Sequence, residues 1–338
     1  MTAAALPTIT RSTALSRVAG VLALIVLAIL AAAPWWGSRA ELRLFGEFAT
    51  YLALASLWNL LAGYTGLVSV GQQAFVGLGG YVLFTCAQYL GMPPLLAIPV
   101  AGIVAGLAAI PVGQLVFRLQ GAYFAIGTWV VAEVFRLGFA QIAVLGGGSG
   151  TSLTTGVVKS IAESRDLREA LVYWVSLALG AGSVGLVYAL LRSPIGLALT
   201  AIRDGEVASS SLGVKIAKVK FLVYVLVAGV TAMVGALIFL QKLRISPDAA
   251  FSVNDWTAFV IFIVVIGGIG TIEGPIAGTL VYFLLREYLA DLGPIYLMIL
   301  GALAILIMLL APQGLWGLIA KRFGFSLFPV GYRIHWNE

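Results

Sequence analysis

The chain has 338 residues, of which 61% are hydrophobic and only 10% are charged. Soluble domains carry about 25% charged residues, so the composition predicts an integral membrane protein. The formal net charge of +6 does not point to nucleic acid, because basic residues held at the cytoplasmic ends of membrane helices account for it. The sequence contains one cysteine and one histidine. It therefore does not support a disulfide, a metal site or Ser-His catalysis, and no cofactor is expected in this chain.

The N-terminal region contains the first predicted span. Arg11 and Arg17 precede an apolar run that ends at Ala33, a pattern that secretory signals share. Pro34 is a poor residue after a cleavage site, so we interpret the run as a membrane span with its N-terminus inside. A span needs about 20 mostly apolar residues. The candidates in chain order are 18–36, 45–63, 68–90, 95–117, 121–141, 170–191, 220–241, 256–272, 275–290 and 294–311.

The distribution of charge supports this arrangement. Ten crossings from an inside N-terminus place eleven Lys and Arg residues inside and eight outside, as expected when basic residues stay in the cytoplasm. The sequence therefore predicts an all-α, polytopic helical bundle of about 8–10 transmembrane helices over residues 18–318, with cytoplasmic segments 1–17 and 319–338 at its ends. Three segments are short or glycine-rich enough to be broken or re-entrant helices: 45–63, 68–90 and 275–290.

A glycine-rich polar stretch, NLLAGYTGLVSVGQQAFVGLGGY, occupies residues 59–81. Glycine weakens a membrane helix and exposes backbone polar groups, which are tolerated only against protein or a wet cavity. Two interpretations stay open: a close-packed glycine seam, or a broken helix that lines a polar path. Small residues four apart, as at Gly102 and Gly106 or at Gly274 and Gly278, indicate closely packed helices.

Three further polar features lie outside that stretch. Glu133 and Arg136 are three residues apart and can pair on one helix face, either as a functional intramembrane pair or as a structural one near the outer end of a span. The loop 145–156 is glycine-rich, but no phosphate-binding Gly-x-x-x-x-Gly-Lys-Ser/Thr motif occurs in the sequence. Glu273 follows a glycine-rich turn, and it either binds an ion or serves as a solvated or capping carboxylate.

The longest polar interval between apolar regions is 192–220, RSPIGLALTAIRDGEVASSSLGVKIAKVK. It holds five basic residues and two acidic ones, which predicts a cytoplasmic location. Pro194 suits a first helical turn and Gly213 suits a helix stop. The segment is therefore predicted to fold as one or two short helices on the cytoplasmic membrane surface.

Together these stretches resemble the permease subunits of branched-chain amino acid ABC importers, LivM type. The resemblance extends over about residues 45–320, in the order that the family shows. It rests on five segments: residues 59–81, RLQGAYFAIGT (118–128), SPIGLALTAIRDGEVASSSLGV (193–214), VIGGIGTIEGPIAG (265–278) and APQGLWGL (311–318).

The resemblance implies an all-helical half of a permease in a bacterial inner membrane. It also implies a second homologous permease of LivH type, two cytoplasmic ATP-binding subunits and a periplasmic or lipid-anchored substrate-binding protein. Glu206, Ala208 and Gly213 stand where the family's cytoplasmic coupling motif has an acidic residue, an alanine and a glycine. We expect them, with Arg203 and Asp204, to couple the chain to the ATPase. The sequence departs from the family pattern at 209–211, three serines, and at 153–156.

The predicted function is passage of branched-chain amino acids or a similar small polar solute, with ATP hydrolysis in separate subunits, so the chain is not expected to be an enzyme. Related permeases also move urea, short amides and aromatic acids. A stand-alone secondary transporter or channel is the alternative, although it would favour ionisable residues near the membrane midplane. The residues expected to line the path are Ser69, Gln72, Gln73, Tyr123 and Thr128.

Overall fold

A computed structural model of the protein describes residues 8–10, 14–289, 292–293, 295–323, 327–328 and 333–335. Within these residues the chain forms sixteen α-helices and four short strands. The helices are α1 (Ala14–Ala31), α2 (Ala33–Trp36), α3 (Arg39–Asn59), α4 (Gln72–Tyr89), α5 (Pro94–Val116), α6 (Ala122–Ala140), α7 (Thr155–Lys159), α8 (Arg165–Arg192), α9 (Pro194–Asp204), α10 (Glu206–Ser211), α11 (Ile216–Lys242), α12 (Pro247–Ala250), α13 (Phe259–Gly267), α14 (Glu273–Leu289), α15 (Ile295–Leu310) and α16 (Gly314–Phe323).

The predicted all-α membrane fold is confirmed. Among the described residues, seven helical segments are long and apolar enough to cross a membrane: Arg39–Tyr64, Pro94–Val116, Ala122–Ala140, Arg165–Arg192, Ile216–Lys242, Pro247–Gly267 and Ile295–Arg322. The other three predicted spans are not among these seven, although each overlaps helices: 18–36 overlaps α1 and α2, 68–90 overlaps α4, and 275–290 overlaps α14.

The helices α3 and α8 lie side by side and run in the same direction. Each begins at a serine cap: Ser38 Oγ accepts from the Glu41 amide and Ser164 Oγ accepts from the Leu167 amide. Such caps satisfy backbone donors that a helix start leaves free. The two starts are joined by the Arg39–Asp166 ion pair, 2.6 Å long. We call this end of the bundle the far end, and the end that carries residues 192–220 the basic-loop end.

Two glycine-rich breaks interrupt the bundle. The first follows α3, which continues through a π-helical turn, Leu60–Tyr64, before the chain turns back at 65–71 and enters α4. The Trp58 indole N–H donates to the carbonyl of Ser69 (2.8 Å), so α4 begins beside the last turns of α3, inside the bundle. The second break is the turn 268–272 between α13 and α14. The first break therefore lies between the helices of the predicted broken segments 45–63 and 68–90 and not within either helix. The third such segment, 275–290, is also unbroken as far as it is described, because it lies in the single helix α14.

A tight glycine seam holds α4 against α11. A Cβ atom on Gly79 would lie 2.0 Å from the carbonyl oxygen of Ala232, and one on Gly235 would lie 2.2 Å from the carbonyl oxygen of Val76. Only glycine lets two helix backbones approach this closely. The two glycines of the predicted pair at 102 and 106 differ. A Cβ atom on Gly102 would lie 2.6 Å from the Met233 side chain, whereas one on Gly106 would meet no atom closer than 4.0 Å.

Two small antiparallel ribbons tie distant parts of the chain together. The strands β1 (Thr8–Thr10) and β4 (Arg333–His335) pair with each other. The strands β2 (Thr151–Ser152) and β3 (Arg244–Ile245) pair at the far end. Much of the predicted cytoplasmic segments 1–17 and 319–338 lies outside the described residues, and the helix α16 extends across the predicted boundary at 318.

Candidate functional site

The basic segment 192–220, predicted to form one or two short helices, contains two. The helix α9 begins at Pro194, whose missing N–H costs nothing in a first turn. Gly205 separates α9 from α10, and Gly213 follows α10 with a φ of +84°. This left-handed conformation favours glycine, so Gly213 fixes the turn through which the chain enters α11.

The first of these helices, α9, is packed firmly against the bundle. Its Gly196, Leu199 and Ile202 are buried. A Cβ atom on Gly196 would lie 2.1 Å from the carbonyl oxygen of Leu191, at the end of α8. The Arg203 guanidinium lies over the Tyr64 ring, with 5.6 Å between the Cζ atom and the ring centroid. Through these contacts α9 connects the end of α8 with the π-helical turn that ends α3.

The second helix, α10, presents an apolar tip. Val207 is 83% exposed and Leu212, the residue after the helix, is 82% exposed. Ala208 between them is also exposed. Among the described residues, Val207 and Leu212 are the two most exposed large apolar side chains. We call Val207, Ala208 and Leu212 the α10 tip.

The three serines of α10, which depart from the family pattern, bond to their own helix. Ser209 is buried and its hydroxyl donates to the carbonyl of Gly205 (2.7 Å). The hydroxyls of Ser210 and Ser211 both donate to the carbonyl of Val207 (2.7 and 3.1 Å). Serine bonds of this kind are common where a helix is short or bent. Ser209 therefore faces the bundle, whereas Ser210 and Ser211 share the exposed surface of α10 with its apolar residues.

The structure brings the five predicted coupling residues together at the basic-loop end. Arg203 pairs with Asp204 at 3.3 Å, and Glu206 pairs with Lys220 at the start of α11. The Arg203–Asp204 pair is exposed on both sides and contributes little stability, whereas the Lys220 side chain of the second pair is only 12% exposed. Val207 and Leu212 were not among the predicted residues, although two isolated apolar residues in a polar segment were a visible signal for them.

Four of the five predicted path residues are buried around the start of α4. The Thr128 hydroxyl of α6 accepts from the Val70 amide (3.1 Å), and Ser69 Oγ accepts from the Gly71 amide (3.3 Å). Gln72 donates to the carbonyl of Leu54 (3.3 Å). The fifth residue, Tyr123, does not join them: it is exposed at the beginning of α6.

The two glutamines are only partly satisfied. Gln73 accepts a hydrogen bond from the Thr257 hydroxyl, and Gln72 reaches Thr231 at 3.4 Å. Gln72 Oε1 and Gln73 Nε2 are buried and have no hydrogen-bond partner within the described part of the chain. An unpaired buried polar atom costs about 1–3 kcal/mol. These two amides therefore retain hydrogen-bonding capacity deep inside the bundle.

Asn59 links the two glycine-rich breaks. Its amide donates to the carbonyl of Thr271 (2.7 Å), and its side-chain oxygen accepts from the Gly270 amide (2.8 Å). Asn59 is fully buried, and a Cβ atom on Gly63 would lie 2.5 Å from the backbone nitrogen of Gly270. The π-helical turn after α3 and the turn before α14 are thus held as one unit.

We expect Asn59→Leu to destabilise the protein while keeping side-chain volume. The change leaves a buried N–H and a buried C=O without partners, at about 1–3 kcal/mol each. The unfolding temperature should fall by about 4 °C or more. A thiol-reactive fluorophore can follow unfolding, because the single cysteine, Cys86, is buried. Asn254→Leu, at an exposed asparagine, is the control, and an equal effect of both changes would contradict this role for Asn59.

Two other charged features have structural partners. Arg136 pairs with Glu133 (2.5 Å) and also with Asp248 on α12 (2.6 Å), so this group joins α6 to the far-end segment before α13. Glu273 is buried, contrary to the expectation of a solvated carboxylate, and accepts from the backbone amides of Leu327 and Phe328, both at 2.9 Å.

Within the described residues, no group of three or more His, Cys, Asp or Glu side chains is placed to hold a metal ion.

Comparison with known proteins identifies similar chains. The family model described as "Branched-chain amino acid transport system / permease component" matches residues 42–311. The chain is 30% identical to the high-affinity branched-chain amino acid transport system permease protein LivM of Escherichia coli, over 86% of this chain and 74% of that one. It is 24% identical to the probable branched-chain amino acid transport permease protein LivM of Methanocaldococcus jannaschii, over 83% and 91%. For the permease protein BraD of Pseudomonas aeruginosa the identity is 24%, over 80% and 92%.

Proposed function

Because the chain belongs to the permease family of branched-chain amino acid ABC transporters, we propose that it is one permease subunit of an ATP-driven importer. In this proposal it forms half of the translocation path for branched-chain amino acids or a similar small polar solute. The names of its relatives support this substrate class. Urea, short amides and aromatic acids are the alternatives within the family.

The observation that carries the proposal is the α10 tip on its rigid support. An exposed apolar surface at the end of a membrane bundle suits a groove in a cytoplasmic partner. The helix α9 behind it is packed against α8 and against the turn after α3. A displacement of the tip is therefore passed to two membrane helices as a rigid-body motion. In this connection the charged groups beside the tip are those of Arg203, Asp204 and Glu206. Ala208 belongs to the tip itself, and Gly213 forms the turn after α10.

The path itself is assigned to the start of α4. Ser69, Gln72, Gln73 and Thr128 lie beside the first break, and the free amide atoms of the two glutamines offer neutral hydrogen bonds to a polar solute. Tyr123 contributes from a separate, exposed position, where a second permease subunit can approach. The other partners are two ATP-binding subunits and a periplasmic or lipid-anchored binding protein, in a bacterial inner membrane.

Co-purification tests this proposal. The chain is tagged and co-expressed with a candidate second permease and candidate ATP-binding subunits, and the complex is reconstituted in vesicles with the binding protein. We expect the partners to be recovered with the tagged chain and leucine uptake to require ATP. If the chain is recovered alone and takes up solute on an ion gradient without ATP, it is a secondary transporter and the proposal is wrong.

A further inference from the structure

A second polar feature lies at the far end, away from the α10 tip and from the start of α4. It is a cavity of about 560 Å³ between α3, α8 and the end of α11. Pockets for small ligands have volumes of about 300–1,000 Å³. We call it the far-end cavity, and none of the residues discussed above as coupling or path residues lines it.

The far-end cavity has an excess of positive charge. Two carboxylates line it, Glu47 and Glu169. Five basic side chains line it: Arg39, Arg43, Arg165, Arg168 and Lys242. Lining cations therefore exceed lining carboxylates by three, the difference between five and two.

Most of these charges already have partners. Glu169 lies within ion-pair distance of three arginines, Arg39 (3.7 Å), Arg43 (3.4 Å) and Arg165 (3.1 Å). Glu47 pairs with Arg286 at 2.7 Å. In the described part of the chain, neither Arg168 nor Lys242 has a carboxylate within ion-pair distance. These two cations remain available to an anionic group in the cavity.

The remaining wall is mostly apolar and aromatic, with Thr50 and Gln241 as its uncharged polar residues. Tyr51, Tyr173 and Trp256 line it together with aliphatic side chains. Lys242 is held on this wall, because its ammonium lies 4.6 Å from the centroid of the Trp256 ring, a cation–π contact. A ligand that fits such a wall has a charged group at one end and an apolar body at the other.

From these observations we propose that the far-end cavity binds a free amino acid with an apolar side chain, through its carboxylate on Arg168 and Lys242. The apolar side chain packs on the Tyr51, Tyr173 and Trp256 wall, and Glu47, 40% exposed, faces the ammonium group. The inference rests on the proposed function, since it makes this cavity the receiving site for the solute that the importer carries. A cavity of this volume suits a small molecule better than the surface of a protein partner.

Direct binding to the assembled complex tests the site. The complex is placed in phosphatidylcholine nanodiscs without the binding protein, and binding of tritiated L-leucine is measured at equilibrium. Arg168→Gln and Lys242→Gln should each weaken leucine binding by about tenfold or more, because each removes a charged hydrogen-bond donor. The matched controls are Lys159→Gln and Arg244→Gln, at basic residues of the same end that do not line the cavity, and they should bind leucine as the unmodified complex does.

Competing ligands show which group is recognised. Leucinamide, which has no carboxylate, should compete about tenfold more weakly than leucine or worse, and 4-methylpentanoate, which keeps the carboxylate, should still compete. Nanodiscs that contain phosphatidylserine distinguish a free amino acid from a lipid headgroup of the same chemistry. If that lipid displaces leucine, the cavity is a lipid site and the proposal is overturned.

These experiments distinguish a failure of the far-end site from a failure of the proposed function. A complex that assembles and drives ATP-dependent uptake, but binds leucine equally well after Arg168→Gln and Lys242→Gln, overturns the far-end site alone. The same holds for an active complex that binds no leucine without its binding protein. Recovery of the partner subunits is measured in every sample, so a failure of assembly counts against the proposed function and not against the cavity.

Discussion

Gly79→Leu is expected to prevent the protein from reaching its folded state. The position of a Cβ atom on Gly79 lies 2.0 Å from the carbonyl oxygen and 2.7 Å from the carbonyl carbon of Ala232. These are backbone atoms in the middle of α11, so no side-chain rotation can make room. Overpacking that side chains can absorb costs about 1–3 kcal/mol. Here two helix backbones must separate, against a total stability of about 5–15 kcal/mol.

Yield and dispersity measure this effect. The variant should give little or no monodisperse protein in detergent, because α4 and α11 lie at the centre of the bundle and contain several of its fully buried side chains, such as Tyr81 and Phe239. The control is Gly106→Leu on α5, where the nearest atom to an added Cβ lies at 4.0 Å. A Gly79→Leu protein with the yield and unfolding temperature of the unmodified chain would refute the seam.

The contrast between these two glycines shows what the sequence can and cannot predict. The spacing of Gly102 and Gly106 predicts a packing seam, yet only at Gly102 would an added Cβ atom meet another helix closely. Gly79 and Gly235 are far apart in the sequence, so no four-residue spacing links them. They belong to α4 and α11, two helices that meet only in the fold. Small residues indicate that some helix can approach, but not which helix does so.

Features set by local chemistry were predictable. The spans follow from apolar composition over about 20 residues. The two helices of 192–220 follow from Pro194 at a first turn and from Gly213 at a position with positive φ. In each case the residues that decide the structure are neighbours in the chain, and the physical rule acts over one or two helical turns.

Features set by distant partners were not predictable in the same way. Asn59 bonds to backbone groups 211 and 212 positions away, and Gln73 bonds to Thr257, 184 positions away. Glu273 illustrates the same limit: it lies at a helix end, as expected of a solvated or capping carboxylate, but it is buried and accepts from the amides of Leu327 and Phe328, 54 and 55 positions away. The far-end cavity likewise combines residues from α3, α8 and α11, and their individual positions in the sequence carry no common pattern.

The second large effect is expected at the α10 tip, where Val207→Asp with Leu212→Asp should uncouple the chain from ATP hydrolysis. Both side chains are more than 80% exposed in this chain, and burying a large apolar side chain in a partner contributes about 1.5–3 kcal/mol. Losing both contacts, and placing two charges in the groove instead, should weaken association by about a hundredfold or more. The measurements are recovery of the ATP-binding subunits and substrate-stimulated ATP hydrolysis in reconstituted vesicles.

A matched change separates apolar docking from simple charge attraction. Lys218→Gln removes a basic charge from the same exposed segment without altering the tip, and it should preserve both recovery and hydrolysis. Glu206→Arg reverses a charge beside the tip and breaks the pair with Lys220, so it should give an intermediate loss. If Lys218→Gln is as damaging as the double aspartate variant, the docking depends on net charge and the assignment to Val207 and Leu212 is wrong.

Gly213→Pro tests whether the orientation of the α10 tip matters, because it leaves the side chains of the tip unchanged. Proline requires a φ near −65°, whereas Gly213 adopts +84°, so the turn between α10 and α11 must change while every tip side chain stays present. No neighbouring atom lies within 4 Å of a Cβ at this position, which makes backbone direction the property that the substitution alters. We expect membrane insertion as for the unmodified chain, recovery of the ATP-binding subunits reduced, and hydrolysis no longer stimulated by substrate. Unchanged hydrolysis in both this variant and the double aspartate variant would mean that 192–220 is a solvated linker, and a carrier that works without ATPase subunits would then explain the basic-loop end better.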